Sequence, residues 1–157
     1  MLATNYVICA HKDLDGFCCA AILSKYYPKA HVFFKSQGVN EIIFYELGNY
    51  LRKYTQNVFY ICDLSLEKSS VKTINKILEK YRKEFDIKVI WIDHHPWDTS
   101  AIPKNIEFIG PEDSSNKSSA CLVEQFLNFN ASSIYVKIAN GLRDKDAFYW
   151  KTVINKV

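Results

Sequence analysis

Short runs rich in β-branched and aromatic residues alternate along the chain with longer segments that mix apolar and polar positions. Asn5–Ala10, His31–Phe34, Val58–Cys62, Ile87–Ile92 and Ile106–Ile109 read as strands. Gly16–Tyr27 and Asn40–Tyr54 carry helical apolar spacing, and Leu66–Phe85 sets Val71, Ile74, Leu78, Tyr81 and Phe85 on one face. Strands separated by helices of this length imply right-handed crossovers. The pattern therefore predicts an α/β fold, a doubly wound, mainly parallel five-stranded sheet with helices on both faces. Beyond Pro111 a polar stretch, Glu112–Ser119, precedes a helix through about Phe129, a second helical segment over Ser132–Leu142 and a short tail. No repeat, low-complexity tract or linker interrupts the 157 residues, which read as a single domain.

With 48% apolar and 24% charged residues, the composition is that of a globular domain rather than a disordered or fibrous chain. The longest apolar run, Phe17–Leu23, is far shorter than the roughly 18 residues of a membrane span, and the first residues lack a basic start and a cleavage site. Cys9, Cys18, Cys19, Cys62 and Cys121 lie in apolar stretches without metal-finger spacing. These features predict a soluble cytoplasmic protein in a reducing compartment, with no membrane partner.

Charge adds a tilt toward polyanions. Six of the 17 acidic residues (Asp13, Asp15, Asp63, Asp93, Asp144, Asp146) fall in the clusters described next, which leaves 11 against 20 basic residues in the whole chain. Lys68, Lys72, Lys76 and Lys80 form a stripe at four-residue spacing, read either as a solvated helix face or as a phosphate contact.

The chemistry-bearing residues cluster at strand ends. His11, Asp13 and Asp15 follow the first strand, Asp63 follows the third, and Asp93, His94 and His95 follow the fourth. In an open parallel sheet these carboxyl ends share one edge, where ligands bind, so the three groups should converge. Each Asp taken alone could be a helix N-cap. Together, however, the carboxylates would repel one another unless cations neutralise them. Carboxylate plus imidazole suits manganese, zinc, iron or cobalt. Gly16 allows the tight turn from the His11-x-Asp13-x-Asp15 segment into the following helix.

The segments HKDLDG (His11–Gly16), ICDLS with Asp63, IDHH (Ile92–His95) and GLRDKD (Gly141–Asp146) resemble the four motifs of the DHH phosphoesterases. That superfamily includes RecJ-type exonucleases, nanoRNases, cyclic-dinucleotide phosphodiesterases and, more distantly, exopolyphosphatases and family II pyrophosphatases. The resemblance implies that His11, Asp13 and Asp63 hold one divalent metal, and that Asp15, the shared Asp63, His94 and Asp144 hold a second. Manganese is the favoured ion, with magnesium, cobalt or zinc as alternatives. His95 would face the phosphate as the catalytic group, and Asp93 would orient a histidine. The last motif departs from the common form, because Asp144-Lys145-Asp146 precedes Ala147, Phe148, Tyr149 and Trp150, so either Asp144 or Asp146 is the ligand, with Asp144 favoured.

The implied activity is hydrolysis of phosphodiester bonds in short single-stranded nucleic acid or small nucleotides by two metals. Arg143 could grip phosphate, and Trp97 and the aromatics of residues 148–150 could stack bases, although core packing suits Phe148 and Trp150 equally. Ser114–Ser119 offers amides and hydroxyls to an anion, or serves as a loop and N-cap. The second, DHH-associated domain of two-domain relatives is not seen after Trp150, which leaves three readings open: a minimal protein, the first domain of a longer one, or a cleft completed by a homodimer or a partner chain. Two other readings are a pyrophosphate- or polyphosphate-cleaving enzyme and a non-catalytic RecJ-like replication scaffold. The wider His–Asp spacing of the pyrophosphatases disfavours pyrophosphate cleavage, and the intact motifs disfavour the scaffold.

Overall fold

The computed structural model describes residues 3–36, 41–96, 98–110, 117–128 and Tyr135. Five strands, β1 (Thr4–His11), β2 (His31–Lys35), β3 (Gln56–Cys62), β4 (Asp86–Ile92) and β5 (Glu107–Ile109), form one sheet in the order β2-β1-β3-β4-β5. Every pairing between them is parallel. The central strands are covered on both faces, and this is why they read as near-continuous apolar runs. Val7, Ile8, Cys9 and Ala10 of β1 are all fully buried.

The helices are α1 (Leu14–Tyr26), α2 (Glu41–Gly48), α3 (Val71–Arg82) and α4 (Ser119–Phe126). Alternation along each strand divides the core in two. Ile8, Ala10, Tyr60, Cys62, Ile90 and Ile92 pack with α1 and α4, whereas Val7, Cys9, Phe59, Ile61, Val89 and Trp91 pack with α2 and α3. The doubly wound arrangement expected from the sequence is thus present, with α1 and α4 on one face and α2 and α3 on the other.

Two helices are shorter than their apolar spacing predicts. The segment expected to be helical to Tyr54 ends at Gly48, continues as i to i+3 turns through Leu51, and reaches a left-handed Tyr54. A side chain at Gly48 would overlap the Tyr81 ring of α3, so glycine here serves close helix packing and also weakens the helix at its end. The Leu66–Phe85 segment opens with a 3₁₀ turn, Lys68–Ser70, before α3. The expected helical segment over residues 132–142 lies outside the described residues, apart from Tyr135.

At the amino edge of the sheet, the fully buried Asn57 ties the chain together. Its Oδ1 accepts from Asn5 Nδ2 (3.0 Å) and Arg52 N (2.9 Å), and its Nδ2 donates to the carbonyls of Arg52 (3.0 Å), Thr55 (3.3 Å) and Asp86 (3.0 Å). His31 is likewise structural, paired with Arg52 Nη2 at 3.0 Å.

Candidate metal centre

The opposite, carboxyl edge collects the acidic and imidazole groups. Asp13 caps α1, its Oδ1 accepting from Gly16 N at 3.0 Å. Any side chain at Gly16 would overlap the His11 carbonyl, so glycine is what lets α1 begin this close to β1. His11 Nδ1 lies 2.7 Å from Asp13 Oδ2 and 3.8 Å from Asp63 Oδ2, and its Nε2 lies 3.1 Å from the Ser36 carbonyl. A carboxylate and a carbonyl can only accept, so these two contacts favour a proton on each ring nitrogen. Burial alone would lower the His11 pKa, but the Ser36 and Asp13 bonds outweigh it and raise it. A ring nitrogen binds a cation only without its proton, so His11 would ligate in exchange for one of these bonds.

Asp63 stands at the centre. It is 2% exposed and left-handed, with φ 60°, a conformation that Asp tolerates better than most residues and that turns the chain sharply off β3. Its Oδ1 accepts from Ser119 Oγ at 2.8 Å and lies 3.3 Å from His94 Nε2. Burial is the main reason its pKa rises to about 6; His94 pulls it down, while the Asp15 and Asp13 charges push it up.

Asp93 is fully buried, and its Oδ1 accepts from His95 Nδ1 at 2.7 Å. That bond is the main cause of the raised His95 pKa. The structure therefore couples Asp93 to His95 rather than to His94. His94 Nδ1 is buried with no hydrogen-bond partner among the described residues, and the two rings lie 4.2 Å apart.

Asp15 is held in a way its position in the motif does not suggest. Its Oδ2 accepts from Ser119 N and its Oδ1 from Ala120 N, both at 2.9 Å, so the carboxylate sits on the N-terminus of α4. Oδ2 also lies 3.9 Å from His94 Nε2. Burial raises the Asp15 pKa, and the two amides partly oppose the rise.

Ser119 is the functional residue that the motifs miss. Its hydroxyl donates to Asp63 and accepts from His94 N at 3.2 Å, while its own N–H donates to Asp15. Ser118 alone does the capping, through Cys121 N. The anions held at this helix start, by Ser119 and the Ala120 amide, are the protein's own Asp15 and Asp63. The polar stretch before a helix was the available signal, and it looks the same whether the anion is foreign or internal.

Ligand-type atoms of His11, Asp13 and Asp63 lie within 4.8 Å of one another, as do those of Asp63, Asp93, His94 and His95. Asp63 belongs to both groups. The donor set fits a divalent cation, because clustered carboxylates, one of them lifted to about 6, gain from a neutralising charge. Asp144, Asp146, Arg143, Trp97 and residues 148–150 lie outside the described residues, and so does the first part of the Ser114–Ser119 stretch. Of the lysine stripe, Lys72, Lys76 and Lys80 are exposed, while Lys68 is paired with Asp98 at 2.6 Å.

The fold and this edge define an α/β domain that gathers imidazoles and carboxylates for a divalent cation beyond the ends of its parallel strands. The chain belongs to the DHH family: the model for the family's N-terminal domain matches residues 5–144. Membership supports phosphoesterase-type chemistry and divalent-metal binding.

Among solved structures, the chain is similar to an uncharacterized protein from Helicobacter pylori G27, with 17% identity and a TM-score of 0.63, over 80% of this chain and 36% of that one. It is also similar to RecJ of Thermus thermophilus, solved in complex with Mn2+, with 16% identity and a TM-score of 0.54, over 86% of this chain and 20% of that one. At these identities the likeness is one of fold, and the chain spans only about a third and a fifth of those proteins. No curated protein matches the sequence. Among the described residues no helix is long and apolar enough to cross a membrane.

Proposed function

We propose that the domain hydrolyses phosphodiester bonds in short single-stranded nucleic acid or small nucleotides, using two divalent cations, manganese foremost. The observation that carries this reading is the pair of ligand groups that share Asp63. His11, Asp13 and Asp63 would hold one ion. Asp63 and His94 of the second group, joined by Asp15, whose Oδ2 lies 3.9 Å from His94 Nε2, and by Asp144 of the last motif, would hold the other, while Asp93 and His95 of that group serve the proton step. Such ions supply Lewis acidity, both for generating a nucleophile at neutral pH and for stabilising charge on phosphoryl oxygens.

The protein's own groups do the rest. Ser119 and the α4 amides fix Asp63 and Asp15 before any ion arrives. Asp93 accepts the Nδ1 proton of His95, which leaves Nε2 free to face substrate and favours the protonated ring. His95 is thereby suited to donate a proton from Nε2 to the departing oxygen. The cysteines among the described residues are all free and buried, in keeping with a reducing, cytoplasmic setting.

The test is manganese-dependent turnover of a panel comprising a dinucleotide, short single-stranded DNA and RNA, a cyclic dinucleotide and pyrophosphate, with Asp63→Ala as control. Cleavage of a phosphodiester, lost in Asp63→Ala, supports the reading. Turnover of pyrophosphate alone, or bound manganese with no turnover of any substrate, overturns it.

A further inference from the structure

The lip of the metal centre carries an exposed aromatic ring with no role in the core. Phe17 is 43% exposed although it follows Gly16 directly and lies in the first turn of α1. Its N–H donates to the Asp13 carbonyl at 2.9 Å, so Phe17 sits one helical turn after Asp13. Asp13 is the extended N-cap residue and Phe17 closes the first backbone hydrogen bond of the helix, so the Phe17 backbone stands one turn from that of Asp13, and helical side chains lean toward the N-terminus, here toward the carboxyl edge of the sheet. Phe34 braces the ring from β2, with centroids 4.6 Å apart and planes inclined by 59°. Phe34 pairs with Ala10 in the sheet, and the carbonyl of Ser36, two residues further along, bonds His11. The braced ring and the ligand cluster are therefore built on the same two strand ends.

The ring leans on Phe34 with one side and leaves 43% of the residue open to solvent. Phe17 alone is also smaller than the several-hundred-Å² patches that mark protein docking. A flat apolar face within one helical turn of a carboxylate that would hold a cation suits a planar group attached to a bound phosphate. We infer that Phe17, braced by Phe34, stacks the base of the nucleotide whose phosphate occupies the metal centre. This inference rests on the phosphodiester reading above and assigns a residue to base recognition.

The test compares a three-nucleotide single-stranded DNA with an abasic phosphodiester of the same length, titrated calorimetrically in manganese against wild type, Phe17→Ala and Phe17→Tyr. Stacking on one aromatic ring corresponds to roughly a 10-fold change in affinity. Phe17→Ala should weaken the DNA about 10-fold and leave the abasic chain unchanged, and Phe17→Tyr should keep wild-type affinity. Thermal unfolding of both variants should match wild type, since the ring is at the surface. In Phe17→Trp, the DNA should quench the indole fluorescence and the abasic chain should not.

Equal effects of Phe17→Ala on the two ligands, or an unquenched indole with DNA bound, would overturn the inference while leaving the phosphodiester reading intact. Failure of wild type to bind either ligand would overturn both.

Discussion

Replacing Ser119 by alanine removes one oxygen from the centre of the site and little else. The alanine keeps the backbone N–H that donates to Asp15, so α4 stays anchored. The losses are the hydrogen bond to Asp63 Oδ1 at 2.8 Å and the acceptor for His94 N at 3.2 Å. A bond to a charged acceptor is worth about 1.5–3 kcal/mol, which corresponds to roughly 10- to 100-fold in metal affinity, the usual range for residues that orient ligands. Calorimetric titration with manganese should therefore show affinity falling by about that factor. Because Ser119 holds the Asp63 pKa down, its loss lifts that pKa further above its value of about 6. A proton then competes better with the metal, and the gap between wild type and Ser119→Ala should be wider at pH 6 than at pH 8. An affinity within twofold of wild type at both pH values, with unchanged melting, would refute the role given to this hydroxyl.

Other outcomes follow from the same geometry. Asn57→Ala, which strips five hydrogen bonds from a fully buried side chain, should cost about 3–5 kcal/mol; the urea midpoint should drop by about 1.5–2.5 M at a slope near 2 kcal/mol/M, and a loss under about 1 kcal/mol would contradict the network. Gly16→Ala forces the turn carrying His11 and Asp13 to move, so manganese binding should be lost together with about 1–3 kcal/mol of stability, both measurable by thermal unfolding with and without metal. Asp98 is held down to about 2 by Lys68 and by Ser100, so its stabilising ionisation is complete above about pH 4 and is lost as pH falls through 2. Carboxyl NMR should place its midpoint there, and Lys68→Met should move it upward.

The sheet was readable because β1, β3 and β4 are buried on both faces and so appear as unbroken apolar runs with little else to imitate them. The end of α2 was not, because apolar spacing continues past Gly48 and only the Tyr81 ring, from a helix more than twenty residues away, shows why the helix stops there. At the site, the common edge of His11, Asp13, Asp63 and His94 followed from their positions after strands. Which oxygen faces which proton did not, since Asp15 and Asp63 meet Ser119 across separations of 104 and 56 residues. A sequence pattern records local spacing; it does not record that a helix N-terminus from the far end of the domain has claimed a motif carboxylate.

That last contact also sets a timetable. The first motif emerges well before α4, yet Asp15 cannot take up its final orientation, nor Asp63 its full complement of partners, until α4 has been made and has packed against α1. Local pieces such as α1 can form quickly, whereas closing so long a loop comes late. The unfinished chain therefore displays the carboxylates without the framework that orders them, and their described arrangement arises only as the domain closes on itself.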